Sequence, residues 1–309
     1  MRRTRHCIHR KFVRGLSSPH PTTGQIMSWS ICLNADEFLL KRRDALLAEE
    51  SKNCLGWAAI QRAKRHPIPP ESHRFLVFEE PSGTVAHAFI NDADQHIILS
   101  EMTSLMAQNL VTFLDRQAQS LATIEGPWQV AQEFSKRWTE AGHGSPQSQM
   151  DQGLYELTKV TMPNPEGGRL VQAQDKHRND LKDLARGFIA SFPDDPIAPH
   201  QVDDKVQRFI DAQRAYLWQR EDQSFVSMAA IVRESPNASS ISWVYTPPQH
   251  RRQGHAARVV ATLSQAQLNA GKRFCNLHTD LANPTSNNVY RSIGYTMIAR
   301  SFRIKMVPK

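Results

Sequence analysis

Residues 251–256, Arg-Arg-Gln-Gly-His-Ala, combine positive charge with small residues in a pattern suited to binding phosphate. The run follows an apolar, β-branched segment, residues 241–246, which two prolines end as a strand. It precedes residues 257–270, where apolar side chains recur at helical spacing. A loop that leads from a strand into a helix leaves several backbone N–H groups without acceptors, and such groups bind anions. The sequence therefore predicts a phosphate-binding turn.

The residue types within this turn support the same chemistry. Gly254 lets the backbone approach an anion closely, and Ala256 keeps that approach open. Arg251 and Arg252 add positive charge, although arginines here could instead cap or solvate a helix start. Gly271 is of the C-cap type and predicts where the helix ends. One glycine and one alanine are a weak signal alone, so a second motif has to carry the assignment.

That second motif lies in residues 279–295, and with it the chain resembles the GNAT superfamily, which transfers an acyl group from a coenzyme A thioester to an amine. The superfamily's pyrophosphate loop, [QR]-x-x-G-x-[GA], is matched by Arg251, Gly254 and Ala256. Its later strand and helix motif, N-x-x-[SA]-x-x-x-Y-x-x-x-G-[FY], is matched by Asn283, Ser286, Tyr290, Gly294 and Tyr295. Two ordered motifs are more specific than either alone, and the resemblance covers about 140 residues, the size of one domain.

The resemblance implies a role for each matched segment. Coenzyme A, carried as acetyl-CoA, is the implied cofactor, and its pyrophosphate is held by the backbone of Arg252, Gln253, Gly254, His255 and Ala256, with Arg251 fixing the turn or lying near the phosphates. In family members the strand that corresponds to Val244, Tyr245 and Thr246 splays away from its neighbour and pairs with the pantetheine arm of the cofactor. One backbone N–H of this strand points at the thioester carbonyl.

The later motif implies the acid. Tyr290 is expected to protonate the departing thiolate, although a tyrosine on an amphipathic helix is more often a core or surface ring. Asn283 holds the pantetheine amide or the start of the helix, with Asn288 as a second candidate.

The general base is not identified by either motif. Family members often carry a glutamate on the motif strand, whereas residues 240–246 contain no carboxylate. Glu234 and Asp280, at the ends of the two neighbouring strands, are candidates that act directly or through water, unless they are simply solvated strand ends. Histidine can titrate near neutrality, but His250 and His255 lie beside the expected phosphates and are expected to be surface residues.

Composition narrows the class of protein. The chain has 309 residues, which suits two domains, and a net charge of +8. Six of its 38 basic residues lie in the first 35 positions, which contain no acid, so the remaining 32 face 30 acids and the body carries only +2. This distribution argues against a nucleic-acid partner. No apolar run approaches the ~20 residues of a membrane helix, so we expect a soluble protein without a membrane partner.

The cysteines and the N-terminus bear on location. Neither C-x-x-C spacing nor a metal-site pattern surrounds the four cysteines, so a reducing compartment such as the cytoplasm is expected, with no bound metal. Residues 1–26 are Arg-rich and lack acids, as in a mitochondrial transit peptide, but a disordered tail or an extension before a working start at Met27 is an equal alternative.

Three segments are predicted: a basic disordered tail (1–27), a smaller α/β domain (28–162) and, as the resemblance implies, a catalytic GNAT domain (163–309). The fold class is α/β, with a mixed, mostly antiparallel sheet flanked by helices in the C-terminal half. The order of elements in residues 28–162 resembles a degenerate copy of the same fold, as in glycine N-acyltransferase-like proteins. Because this copy lacks both motifs, we expect a scaffold or substrate wall there without catalysis.

Several individual elements are also predicted. The first half begins with one helix from Ala35 to about Ala63, capped by Asp36 and ended by Pro67. Residues 142–152, rich in Gly, Ser, Pro and Gln, are expected to be an irregular break, with a last strand at Leu154–Val160. A closing hairpin is expected from residues 295–299 and 302–307.

Three functions remain open on the sequence alone. The first is an acyl-CoA-dependent N-acyltransferase, most often an acetyltransferase, acting by direct attack of an amine. The second is a non-catalytic acyl-CoA-binding regulatory module. The third, a Rossmann-type nucleotide-binding enzyme, is disfavoured because no acidic ribose ligand follows about 20 residues on. The amine acceptor and the oligomeric state are not predicted.

Overall fold

The computed structural model of the chain describes residues 27–65, 73–164, 167–193 and 197–309. The first part, up to Leu157, contains ten elements, in chain order β1 (Ser28–Cys32), α1 (Ala35–Ala48), α2 (Cys54–Arg65), β2 (His73–Glu80), β3 (Gly83–Asn91), β4 (His96–Leu99), α3 (Ser104–Asp115), β5 (Thr123–Pro127), α4 (Trp128–Glu140) and β6 (Ser145–Leu157). The basic tail lies outside the described residues apart from Met27.

The second part repeats this order of helices and strands. Its ten elements are β7 (Arg169–Gln172), α5 (Arg178–Ile189), α6 (Pro199–Asp211), β8 (Ala215–Gln219), β9 (Phe225–Glu234), β10 (Ala238–Tyr245), α7 (His255–Asn269), β11 (Phe274–Asp280), α8 (Pro284–Ser292) and β12 (Thr296–Val307). Short 3₁₀ turns precede α5 and α7. The shared order is what a degenerate copy predicts, while the copy itself, and the domain boundary near Met162 between β6 and β7, stay hypotheses.

All the described strands join one sheet, in the order β1-β2-β3-β4-β5-β12-β6-β11-β10-β9-β8-β7. Neighbouring strands are antiparallel except for two parallel pairs, β4 with β5 and β10 with β11. The predicted mixed, mostly antiparallel α/β fold is therefore confirmed. A Rossmann-type arrangement is excluded, because that fold requires a mostly parallel sheet.

The two parts exchange strands at the centre of the sheet. β12, at the end of the chain, pairs with β6 along its whole length, from Thr296 opposite Glu156 to Val307 opposite Ser145. On its other edge β12 also pairs with β5 of the first part, and β6 in turn pairs with β11 of the second. Each part thus contributes a strand to the other, and the sheet is continuous from the first part of the chain to the second.

This exchange makes two sequence predictions wrong. Residues 145–152 are strand rather than irregular break, because β12 supplies hydrogen-bond partners that do not depend on apolar side chains. The closing hairpin is a single strand, β12, whose residues 296–307 run without a turn. In both cases backbone pairing with a strand distant in sequence stabilises a segment that lacks strand composition.

The first helix prediction is also wrong, since the chain breaks at residues 49–53 into α1 and α2. The break turns Glu50 inward, where its carboxylate accepts hydrogen bonds from the backbone N–H (2.8 Å) and side-chain amide (2.7 Å) of Asn237. The N-cap of α1 is Asn34 rather than Asp36, because its Oδ1 accepts from two backbone N–H groups in the first turn. Pro67 lies outside the described residues.

Helices cover both faces of the second half of the sheet and divide its core. On one face α7 packs with Ile241 and Leu277 in a cluster that also contains Val259 and Leu263. On the opposite face α5 and α6 pack against β8, β9 and β10 in a cluster that contains Trp243. We call these the α7 face and the α6 face. No helix among the described residues is long and apolar enough to cross a bilayer.

Candidate active site

The parallel strands β10 and β11 separate after a short ladder. Their pairing joins only residues 238–240 to residues 274–276. Beyond Ser240 the strand β10 bulges on its other edge, with register shifts against β9, and Trp243 adopts a positive φ of 54°. A positive φ costs a bulky residue about 1–3 kcal/mol. Here the rings of Phe188 and Phe209, whose centres lie 5.1 Å and 5.3 Å from that of the indole, pack on Trp243 and hold this conformation in place. The sheet therefore opens between two neighbouring strands.

The opening faces the first turn of α7. Arg251 N–H donates to Pro248 O (3.2 Å), and Arg258 N–H donates to Gly254 O (3.0 Å). Between them, the N–H groups of residues 252–257 donate to no acceptor in the described part of the chain. Positive φ values at Arg252 (61°) and Gly254 (79°) form the turn, and Gly254 is its N-cap residue. Unpaired backbone donors at the positive end of a helix dipole are suited to binding an anion.

Two arginines brace the same turn. The guanidinium of Arg251 donates to Thr246 O (3.0 Å) and lies 5.8 Å from the ring centre of Tyr245, so Arg251 fixes the link between β10 and α7. Arg258 donates to Gln253 O (2.6 Å) and to Asn164 O (2.9 Å). The sequence motifs did not single out Arg258, whose contact with Asn164 depends on tertiary structure.

The opening and the turn line one cavity of ≈ 1340 Å³, which lies between the two parts of the chain. It brings together most of the residues predicted from sequence, namely Val244, Tyr245, Thr246, Arg251, Arg252, Gly254, His255, Ala256, Asp280, Asn283 and Tyr290. The first part contributes Glu125 and His96, whose Oε2 and Nε2 atoms lie 3.1 Å apart. A substrate wall without the two motifs, as the sequence predicts for this part, is consistent with that position.

Tyr290 lies on α8 at the wall of this cavity and is 8% exposed. Burial raises the pKa of its phenol to about 12, so the group is fully protonated at neutral pH. Its ring meets Tyr295 edge-on at 6.1 Å, and the Tyr295 hydroxyl lies 2.8 Å from Ser264 Oγ in the core. The two tyrosines thus share one core cluster, but among them only Tyr290 lines the cavity.

The asparagines shape the start of α8. The Asn283 side chain accepts from Ser286 N–H (3.1 Å) as N-cap. Asn287, which matches no fixed position of either sequence motif, is buried and donates to the backbone oxygens of Asn283 (2.7 Å) and Asp280 (3.0 Å). Asn288 is exposed, contacts Arg291 (3.3 Å) and does not line the cavity, so its proposed cofactor contact has no structural support.

Two further predicted residues are placed elsewhere. The carboxylate of Glu234 forms ion pairs with Arg214 and with Lys272 (3.6 Å) and does not line the cavity, which argues against Glu234 as the base. The side chain of Gln253 lies near Gln249 O (3.5 Å) and His255 Nε2 (3.2 Å), outside the lining. Only the backbone of Gln253 remains available to a phosphate.

The structure adds His278 to the site. Leu277 belongs to the α7 face, so His278, the next residue of the strand, points to the α6 face, as does Asp280. Burial, and then the nearby charge of Arg233, lower the pKa of His278 to about 4, so it is neutral at pH 7. Arg233 Nη2 lies 3.5 Å from His278 Nδ1. A polar residue alternating with a buried leucine was the only sequence signal for this position.

Comparison with known proteins bears on the fold. Residues 220–304 match the model of the FR47-like protein family, while no curated protein matches the sequence. A GNAT acetyltransferase from Colwellia psychrerythraea is similar in structure with a TM-score of 0.57 at 12% identity, covering 91% of this chain and 100% of its own. A GCN5-related N-acetyltransferase from Sphaerobacter thermophilus has a TM-score of 0.61 at 15% sequence identity, and the match covers 91% of this chain and 96% of its own.

A third solved structure, described as a tandem GNAT protein from the clavulanic acid biosynthesis pathway, gives a TM-score of 0.55 at 12% identity. It covers 91% of this chain and 98% of its own length. At such identities the similarity establishes the fold. Together with the FR47-like match, it confirms the resemblance to the GNAT superfamily that the two motifs predicted.

Proposed function

We propose that this chain, which has the fold of the GNAT superfamily, is an acyl-CoA-dependent N-acyltransferase that transfers an acetyl group from acetyl-CoA to an amine by direct attack. The observation that carries the proposal is the opening between β10 and β11, which leads to unpaired N–H groups at the start of α7. A strand edge beside an anion site suits a ligand with a pyrophosphate and an amide-containing arm. Coenzyme A has both.

The pyrophosphate would accept hydrogen bonds from the N–H groups of residues 252–256, with the α7 dipole adding about 0.3–1 kcal/mol. Arg252, which is exposed at the cavity wall, adds charge, while Arg251 holds the turn. The edge of β10 at Val244, Tyr245 and Thr246 would pair with the pantetheine amides. Asn283 would act through the helix start that it caps.

Bound acetyl-CoA supplies a thioester carbonyl for the amine to attack. A backbone N–H of β10 would stabilise the negative charge that develops on the carbonyl oxygen, because a donor fixed in a dry site needs no reorganisation. Tyr290, protonated at neutral pH, would give its phenolic proton to the thiolate as the C–S bond breaks.

Two cavity residues are candidates for the proton acceptor. Asp280 Oδ1 accepts from Ala282 N–H (2.8 Å), and the second oxygen is left to act on the amine directly or through water. His278 is neutral at pH 7 and lies two residues earlier on the same face of β11. Asp280 is our first choice because its side chain lines the cavity and only one of its two carboxylate oxygens accepts a hydrogen bond within the described structure.

A regulatory acyl-CoA-binding module is the second candidate function. The observation that favours it is the absence of any carboxylate from β10, together with the ion pairs that engage Glu234. This module would use the same cofactor site and differ only in chemistry.

One experiment separates these functions. Coenzyme A binding is measured by calorimetry, and thiol release from acetyl-CoA is followed with a panel of small amines, amino acids and peptides. Tyr290→Phe should lower turnover about 100-fold and change coenzyme A affinity less than twofold. The matched control Tyr295→Phe removes the same atom from the same cluster and should lose stability but keep turnover.

The outcomes are distinct. Tight binding without turnover on any amine would favour the regulatory module. Equal turnover in wild type and Tyr290→Phe would remove Tyr290 as the acid, and absence of binding would refute the proposed function as a whole.

A further inference from the structure

Positive charge is concentrated in the cavity. Its described lining contains ten lysines and arginines against three carboxylates, although the chain beyond residue 35 carries a net charge of only +2. Two of these cations, Arg251 and Arg252, belong to the turn before α7. Two more, Arg74 and Arg214, are neutralised by ion pairs with Asp92 and Glu234. The excess of positive charge therefore lies among the other six residues.

Four of the remaining cations are Lys205 and Arg208 of α6, Arg62 of α2 and Arg233 of β9. None of them has a carboxylate within 4 Å among the residues that the structure describes. Arg233 has a buried Nε without a hydrogen-bond partner in the same part of the chain. These four residues, which we call the cationic cluster, are like charges gathered in one cavity.

Lys205 is at the centre of this cluster. Its Nζ lies 5.5 Å from the ring centre of Trp243 and 6.0 Å from that of Phe209, so aromatic rings rather than acids surround the ammonium group. Burial, and then the charges of Arg208, Arg62 and Arg233, lower its pKa. Such an arrangement disfavours the charged lysine until an anion enters.

The cluster is separated from the expected phosphate site by the sheet. Lys205 packs on Trp243, which belongs to the α6 face, whereas the turn that would hold pyrophosphate begins α7 on the other face. The opening between β10 and β11 is where the two faces communicate. A molecule that reaches the thioester from the α6 face is the acceptor rather than the cofactor.

We infer that the acceptor is an anionic amine, whose carboxylate or phosphate group is bound by Lys205, Arg208, Arg62 and Arg233 on the α6 face. The inference rests on the proposed function and deepens it by naming the substrate class. Arginine binds either anion through paired N–H donors, so the four residues alone define the shared chemistry of the two groups. The amine of such a molecule would be held toward His278 and Asp280, which share this face.

The test compares amines that differ only in the anion. Turnover with acetyl-CoA is measured for glycine against glycinamide, and for O-phosphoethanolamine against ethanolamine. We expect at least tenfold higher kcat/KM for the charged member of one pair, and which pair responds identifies carboxylate or phosphate. Lys205→Met should raise the KM of that charged amine about tenfold and leave the KM of acetyl-CoA and of the neutral amine unchanged.

Lys182→Met is the matched control. Lys182, on the neighbouring helix α5, is paired with Asp203 (3.0 Å) and does not line the cavity, so this variant removes one positive charge outside the cluster. It should behave as wild type. A parallel calorimetric titration of succinate or inorganic phosphate into the coenzyme A-saturated protein should show binding that Lys205→Met weakens about tenfold and Lys182→Met does not.

The failures are distinguishable. If coenzyme A does not bind, the proposed function fails. If coenzyme A binds but neutral amines react as well as charged ones, or neither anion binds, the inference about the acceptor is wrong. A rise in the KM of acetyl-CoA in Lys205→Met would assign the cluster to the cofactor and overturn the inference as well.

Discussion

Replacing Gly254 with alanine should weaken coenzyme A binding through the backbone alone. Gly254 has φ 79° and ψ 4°, a left-handed conformation that costs a residue with a Cβ about 1–2 kcal/mol. A Cβ added there would meet Arg258 at 3.4 Å, an ordinary contact, so no clash prevents the protein from folding. The substitution therefore tests the direction of the N–H groups rather than space in the site.

The size of the expected loss of affinity follows from the state of the protein in which this backbone strain is relieved. If the loop relaxes in the free protein, binding has to restore the left-handed turn, and a cost of about 1.4 kcal/mol raises Kd about tenfold. Gly271→Ala is the control. Gly271 has φ 95° with no neighbour within 4 Å of an added Cβ, and it lies at the other end of α7.

Calorimetric titration with coenzyme A and urea denaturation give the two readouts. Gly271→Ala should lose about 1 kcal/mol of unfolding free energy and keep its affinity, whereas Gly254→Ala, whose loop relaxes in the free protein, should keep most of its stability and bind coenzyme A about tenfold more weakly. Equal affinity in Gly254→Ala and wild type, with unchanged stability, would refute the assignment of the turn as the phosphate site.

Two other predictions concern proton transfer and stability. Asp280→Asn should lower turnover about 100-fold at neutral pH and leave the affinity for coenzyme A unchanged. His278→Gln should be compared in the same assay. Full activity of Asp280→Asn would leave His278 or bulk water as the proton acceptor. Buried His87 should make the protein sensitive to acid. Burial, and then the charge of Arg42, lower the pKa of His87 from 6.5 to about 3. Below pH 6.5 the unfolded chain therefore binds a proton at this residue that the folded chain does not bind. The unfolding free energy then falls by about 1.4 kcal/mol for each pH unit. Urea denaturation at pH 7.5 and pH 5 should show that His87→Leu removes about 2 kcal/mol of the stability lost between these pH values. The control His200→Leu, on the exposed surface of α6, should keep the whole loss. An identical pH dependence of stability in both variants would contradict the burial argument.

The local features of the site were predictable from sequence. Gly254 was assigned to the turn before α7 because a strand, a break and a helical period surround it, and the structure places it in that turn with a positive φ. Gly271 ends the same helix as predicted, donating to Leu268 O (3.0 Å). Each of these depends on neighbours within one helix or strand.

Features set by distant residues were not predictable. Glu234 was a candidate base because it ends a strand, but Arg214 and Lys272 are its partners, and neither lies near it in sequence. The polar residues 145–149 form a strand only because β12 pairs with them. Likewise, Arg62 lines the cavity from α2, about 140 residues before Lys205, so counting charges along the chain could not reveal the cluster.

Hydrogen exchange at the start of α7 tests the central claim most directly. The N–H groups of residues 252–257 have no acceptor in the described structure and should exchange rapidly in the free protein. If coenzyme A binds where we propose, the peptide that spans these residues should exchange at least tenfold more slowly with saturating ligand. Coenzyme A that binds by calorimetry without slowing exchange in this peptide would contradict the account.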